Sequence, residues 1–195
     1  MSPMKGQHWH WPCTRRRVRS EMEDVSVSAA DFRSSMRRLA GAVSILTVQH
    51  DGTRAGLTAT AVMSVSAEPP RLVVCVNRDV FAHDLVRIGG PLCVNVLDVE
   101  SLEDARRFAG MVDGVAGDAR FRDGAWREGC AGAPVLEAAL AAFECRVVEL
   151  IAAVSHTLVL CEVVAVHAAR SGQVTGAPAM PLVYFDGRFA SVGEL

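Results

Sequence analysis

Between Gly56 and Pro70 the chain reads GLTATAVMSVSAEPP, with four hydroxyl residues, Thr58, Thr60, Ser64 and Ser66, threaded among small apolar ones. Strand alternation would send Leu57, Ala59 and Ala61 to one face and Thr58 and Thr60 to the other. With the first face in a core, the second presents a ledge of small hydroxyls. Such a ledge lets a flat ligand come close to the backbone, so that amides and hydroxyls bond its edge. Ser64 and Ser66 add donors for an anionic group. Threonine is also a good strand former and serine a good turn former, so spacing alone leaves both readings open.

Other chemistries leave no signature. No G-x-G-x-x-G follows a strand, and no G-x-x-x-x-G-K-[ST], H-E-x-x-H or G-x-S-x-G occurs, so a dinucleotide fold, a P-loop, a zinc protease and a hydrolase elbow are all unsupported. The cysteines Cys13, Cys75, Cys93, Cys130, Cys145 and Cys161 form no C-x-x-C pair. Cys75, Cys93, Cys145 and Cys161 sit in apolar runs, where a thiol acts as a small hydrophobe. Free thiols in a reducing cytoplasm are expected, with no metal site. A net charge of −2 makes no case for nucleic acid or a membrane surface, and no apolar run reaches bilayer length.

The elements that must position the ledge are mostly strands. The chain of 195 residues is long enough for one domain with a sizeable core. Residues 1–25, with Trp9, Trp11, His8, His10 and an arginine run, lack a periodic apolar face and a signal-peptide core. They read as a flexible extension to a domain over 26–195, with Met22 an alternative start. From Ser28, an N-cap candidate, a helix is expected to run until Gly41 with Phe32, Met36 and Leu39 on one face. A β run over 42–48 turns at Asp51-Gly52 into the ledge, read as a return strand and loop ending at Pro69-Pro70. Strands follow at 71–77 and 91–98, with a short helix between them. A helix capped by Ser101 comes next, then an irregular glycine-rich stretch over 111–133. Two long strands and a final hairpin at Asp186-Gly187 complete the chain. About seven β segments joined by short turns favour a mainly β, closed antiparallel barrel with a few short helices over a parallel sheet.

The blocks GAVSILTV, GLTATAVMSVSAEPPRLVVCVNRDVFAHDLV, LCVNVLDVESLEDARRFAG, HTLVLCEVVAVH and PLVYFDGRF, in this order over 32–189, resemble the flavin reductase-like family. The resemblance implies a split β-barrel of Greek-key type, a homodimer, and bound FMN or FAD reduced by NADH or NADPH. It implies no catalytic side chain, since hydride passes directly between the two cofactors. It also implies a separate flavin-dependent monooxygenase that receives the reduced flavin. In such proteins the T-A-x-A segment, here Thr58, Ala59, Thr60 and Ala61, lies along the isoalloxazine ring. Ser64, Val65, Ser66, Asn77, Arg78 and His83 would hold the rest of the flavin and its phosphate. His156 and Tyr184 would meet the nicotinamide, with Arg188 a weaker candidate beside them. The stretch Asp79-Val80-Phe81-Ala82 departs from the family's small hydroxyls and sets a carboxylate near the phosphate. Alternatives consistent with the sequence are a flavin-binding carrier without turnover and an FMN-dependent oxidase of the wider superfamily.

Overall fold

The computed structural model describes residues 26–168 and 180–192. The expected extension over 1–25 lies outside the described residues. The described chain is mainly β, with every strand pair antiparallel.

Helix α1 (Ala29–Met36) is capped as expected, Ser28 Oγ accepting from the Asp31 amide at 3.0 Å. It stops well short of Gly41, however, and buries none of its residues, so Phe32 and Met36 are exposed. Strand β1 (Gly41–Ala42) pairs with β11 (Leu182–Phe185), which turns at Asp186-Gly187 into β12 (Arg188–Ser191). Both turn residues have positive φ, 51° and 80°, the conformation that an Asp-Gly hairpin requires.

Seven strands make the main sheet, and the predicted ledge is two of them rather than a strand and a loop. β2 (Ser44–His50) turns into β3 (Thr53–Ala59). The strand is interrupted at Thr60-Ala61, the chain continues as β4 (Val62–Ala67), and it returns as β5 (Pro70–Asn77). β6 (Pro91–Val96), β9 (Ala141–Ala153) and β10 (His156–Ala168) complete the order β3-β2-β6-β9-β10-β5-β4. The sheet's two edges, β3 and β4, are joined covalently through Thr60-Ala61 but share no ladder among the described residues.

Alternation gives the sheet two buried faces. Leu46, Val48, Leu92, Val94, Cys145, Val147, Val159 and Cys161 point inward against α2 (Phe81–Leu85), which inserts Ala82. Ile45, Cys93 and Ala142 point outward under α3 (Leu102–Phe108), the β7 (Trp126–Glu128) and β8 (Pro134–Leu136) hairpin, and Leu182 of β11. The expected irregular stretch thus contains β7 and a 3-10 turn over Gly117–Phe121. Ser101 makes no capping bond to α3. Asp98 caps the preceding 3-10 turn instead, accepting from the Glu100 amide at 2.9 Å. No helix among the described residues is long and apolar enough to cross a membrane.

Candidate functional site

Phe108 of α3 is 1% exposed, edge-on to Phe121 at 5.0 Å and tilted on Trp126 at 5.3 Å. Its ring lies against Gly56 of β3, where an added Cβ would stand 2.7 Å from Phe108 Cε1. This packing brings the Ala105 carbonyl to the Thr58 hydroxyl, which donates to it at 2.7 Å. Thr58 therefore faces away from Leu57 and Ala59, as alternation predicted, but its proton is committed to the fold.

Thr60 differs. It is exposed, and its hydroxyl has no hydrogen-bond partner among the described residues. Because the strand is interrupted here, the amides of Thr60 and Ala61 also lack backbone partners among the described residues. Their carbonyls are engaged, Thr60 O by the Val62 amide at 3.1 Å and Ala61 O by the Cys75 amide at 3.1 Å. Thr58, Ala59 and Thr60 line a cavity of about 190 Å³ with Val43, Ala109, Met111, Tyr184 and Phe189. The Tyr184 and Phe189 rings pack edge-to-face at 5.3 Å. A Cβ on Gly41 would stand 2.9 Å from Thr60 Cβ, so only glycine lets β1 approach this closely. Apolar walls, small side chains and the free hydroxyl and amide of Thr60 fit a flat aromatic ring whose edge accepts hydrogen bonds, as a flavin's does.

A second group forms where β5 ends beside the start of β10. Asn77 is opposite His156, and the Arg78 amide donates to Ser155 O at 3.0 Å. His83 Nε2 lies 2.9 Å from Thr157 Oγ1, and Arg78 Nε donates to the same oxygen at 3.4 Å. Arg78, His83, Asp84, Val86, Arg87, Leu150, Ala152 and Thr157 line a cavity of about 540 Å³. Asp79, the carboxylate that departs from the family pattern, is not among these walls; its amide closes a turn onto Asn77 Oδ1 at 3.0 Å. Thr157 was absent from the sequence reading because only the register of β10 against β5 brings it here.

The structure separates several residues grouped by sequence. Ser64 is opposite Leu72, six residues back from Arg78 along β5, roughly 20 Å at the rise of a strand. Ser66 donates to Pro69 O at 2.5 Å at the hairpin end, and Val65 sits in a bulge, half-exposed on edge strand β4. His156 is exposed with Nδ1 2.9 Å from Ser155 Oγ, whereas Tyr184 belongs to the smaller cavity with Thr58 and Thr60. Arg188 is exposed beside Asp186 at 3.8 Å.

His167 is exposed and paired. Its Nε2 lies 2.6 Å from Glu144 Oε1, and the Glu144 side chain is fully buried. Glu144 also accepts from the Ala131 amide at 2.8 Å. Burial alone would raise its pKa; the hydrogen bonds from Ala131, His167 and Cys130 outweigh this and hold it below the ordinary carboxylate value. Burial, with the Glu144 charge behind it, pushes the Cys93 thiol up to about 12, so it stays protonated as a core hydrophobe. Cys145 and Cys161 are buried, as the reading of inert thiols required. No cluster of metal-ligating side chains occurs among the described residues.

The fold is an antiparallel β domain that carries one apolar cavity edged by Thr58 and Thr60 and one lined by Arg78, His83 and Arg87. Residues 36–193 match the family described as flavin reductase like domain, and the chain belongs to that family. It is 40% identical over 163 residues to the FMN reductase (NADH) RutF of Variovorax paradoxus, covering 84% of this chain and 85% of that one. It is 40% identical over 158 residues to the 4-hydroxyphenylacetate 3-monooxygenase reductase component of Pseudomonas aeruginosa, covering 81% of this chain and 88% of that one. The structure of the flavin reductase PheA2 in its native state superposes with a TM-score of 0.74 at 26% identity, covering 86% of this chain and 100% of that one.

Proposed function

We propose that this chain is an NADH-dependent flavin reductase that supplies reduced FMN to a separate monooxygenase. The observation that carries the reading is the cavity at the family's T-A-x-A segment, where Thr58, Ala59 and Thr60 face Tyr184 and Phe189. The names of the relatives support FMN as the flavin, NADH as the reductant and an oxygenase as the recipient. Bound FMN would supply the two-electron chemistry by accepting a hydride from NADH.

The chain's own part is to bind and orient. Ala59 and the glycine at 41 allow close approach. The Thr60 hydroxyl and the Thr60 and Ala61 amides would donate to the ring edge, where reduction places negative charge. Arg78 and His83, with Asn77 turning the loop that carries them, would take a phosphate in the larger cavity. Ser64, Val65 and Ser66 are too far along the hairpin to share that phosphate within one protomer. This separation, with Met63 and Val65 exposed on edge strand β4, supports a homodimer in which a two-fold partner completes the site. The sheet order, with edges meeting at Thr60-Ala61, supports a split barrel. We further assign residues 26–195 to the catalytic domain, residues 1–25 to an extension, and the protein to the cytoplasm.

NADH consumption with FMN, FAD and riboflavin supplied in turn tests the activity; no flavin-dependent oxidation of NADH would overturn it. Thr60→Val keeps shape and strand propensity but removes the free hydroxyl. It is expected to weaken flavin binding roughly 3- to 30-fold, the loss of one hydrogen bond, with melting unchanged. Binding equal to the parent's would remove Thr60 from the site. Light scattering at micromolar concentration should give twice the chain mass; an active monomer would refute the shared site. Deletion of 1–25 is expected to leave Tm and flavin reduction unchanged, and a large loss of either would place those residues in the folded unit.

A further inference from the structure

We propose that Thr157 is a positioning residue that aims Arg78 at a phosphate group in the 540 Å³ cavity. This rests on the reading of the chain as a flavin reductase. Thr157 is 4% exposed, the second residue of β10, and its single hydroxyl meets two partners, Arg78 from the β5–α2 connection and His83 from α2. A hydroxyl offers one proton and two lone pairs. With His83 Nε2 as the acceptor, the Thr157 proton is donated to the imidazole. A lone pair then remains for Arg78 Nε–H.

The consequence lies in the guanidinium fork. Arg78 has five N–H donors in one plane. Nε is held by Thr157, and Nη1 donates to the Val154 carbonyl at 3.4 Å. Of the three remaining donors, the one on Nη1 and one of the two on Nη2 can act as the end-on pair that bonds an oxyanion in bidentate fashion. The protein therefore engages Nε and one Nη1 proton and leaves donors at the Nη1–Nη2 end open to a phosphate. Arg87 on the same wall adds positive charge, and Asp84 is the one carboxylate among the lining residues. Two phosphate-bearing ligands enter the proposed reaction, FMN with its 5′-phosphate and NADH with its pyrophosphate, and both present the same oxyanion chemistry.

The experiment compares Thr157→Val and Thr157→Ser with the parent. Binding of FMN and riboflavin is followed by flavin fluorescence, and kcat and KM for NADH are measured with riboflavin as acceptor. Thr157→Val is expected to lose roughly tenfold in one phosphate-bearing ligand, the effect of one misaligned charge-assisted hydrogen bond. Thr157→Ser, which keeps the hydroxyl, restores it. Weaker FMN binding with riboflavin unchanged identifies the flavin phosphate. A raised KM for NADH at constant kcat, with FMN binding unchanged, identifies the dinucleotide. Equal weakening of FMN and riboflavin, or no change in any of them, overturns the proposal. Should Thr157→Val not fold, Thr157→Ala gives the same comparison. Parental NADH oxidation with riboflavin is the control on the reductase reading itself, because its absence sinks that reading whatever the variants do.

Discussion

Phe108→Ala is expected to cost about 3–5 kcal/mol, the range for emptying a core aromatic position. The ring is buried on every side: Phe121 and Trp126 meet two of its faces, and Gly56 of β3 lies beneath it. For a domain of this length, about 2–4 °C of Tm goes with each kcal/mol, so the melting point should fall by roughly 6–20 °C. The site should suffer with the fold, because α3 carries the carbonyl that holds Thr58 and ends at the cavity wall formed by Ala109 and Met111. Denaturant titration and flavin titration on the same variant check both halves. A loss below about 1 kcal/mol would mean that α3 is not anchored through this ring. Gly56→Ala tests the contact from the other side. It should be less damaging in the Phe108→Ala background than alone, yet still costly, because the Leu46 carbonyl would remain 2.9 Å from the added Cβ.

Glu144→Gln is expected to cost about 1–3 kcal/mol at neutral pH, since the neutral amide has one acceptor oxygen and leaves either His167 or the Ala131 amide without its acceptor. The pH dependence has a definite sign. The Glu144 carboxyl titrates below its ordinary value of 4.5 when folded. Its contribution is therefore fully present above that ordinary value and is lost as pH falls through the folded one. The parent should lose this part of its stability on acidification through that window, while the Gln variant, already without it, should show a flatter acid limb. Unfolding free energies measured from neutral pH down to acid settle the matter. Parallel curves for the two proteins would show that the ionised carboxylate is not what matters.

Local chemistry was legible in the sequence wherever a few adjacent residues decide it. Asp51-Gly52 and Asp186-Gly187 announced their hairpins, and Ser28 its cap. Two kinds of information were not. The first is burial between layers. Phe32 and Met36 share a helix face that meets no sheet, while Glu144 looks like an outward residue until the β7–β8 hairpin covers it. The second is register. The T-A-x-A segment, Thr58 to Ala61, stands out in the sequence because its composition is local. The grouping of Ser64 with Arg78, and of His156 with Tyr184, required knowing which strand ends meet. Thr157 and His83 are seventy-four positions apart and come together only through the β5–β10 pairing.

The strand order also constrains how the chain folds. The hairpins β2–β3, β4–β5 and β9–β10 are local and can close on the microsecond scale typical of hairpins. The pairings β2–β6, β6–β9 and β5–β10 span long stretches of chain, and the β9–β10 hairpin must insert between β6 and β5 to join the two halves. Such non-local closure belongs to the slow end of single-domain folding, milliseconds to seconds. Thr60-Ala61 is the covalent seam between the first two hairpins, and its position is fixed only when the third arrives. A ligand gripped there cannot template an early intermediate. It would bind the finished fold, slow its opening rather than hasten its formation, and raise its stability in proportion to the logarithm of free ligand concentration.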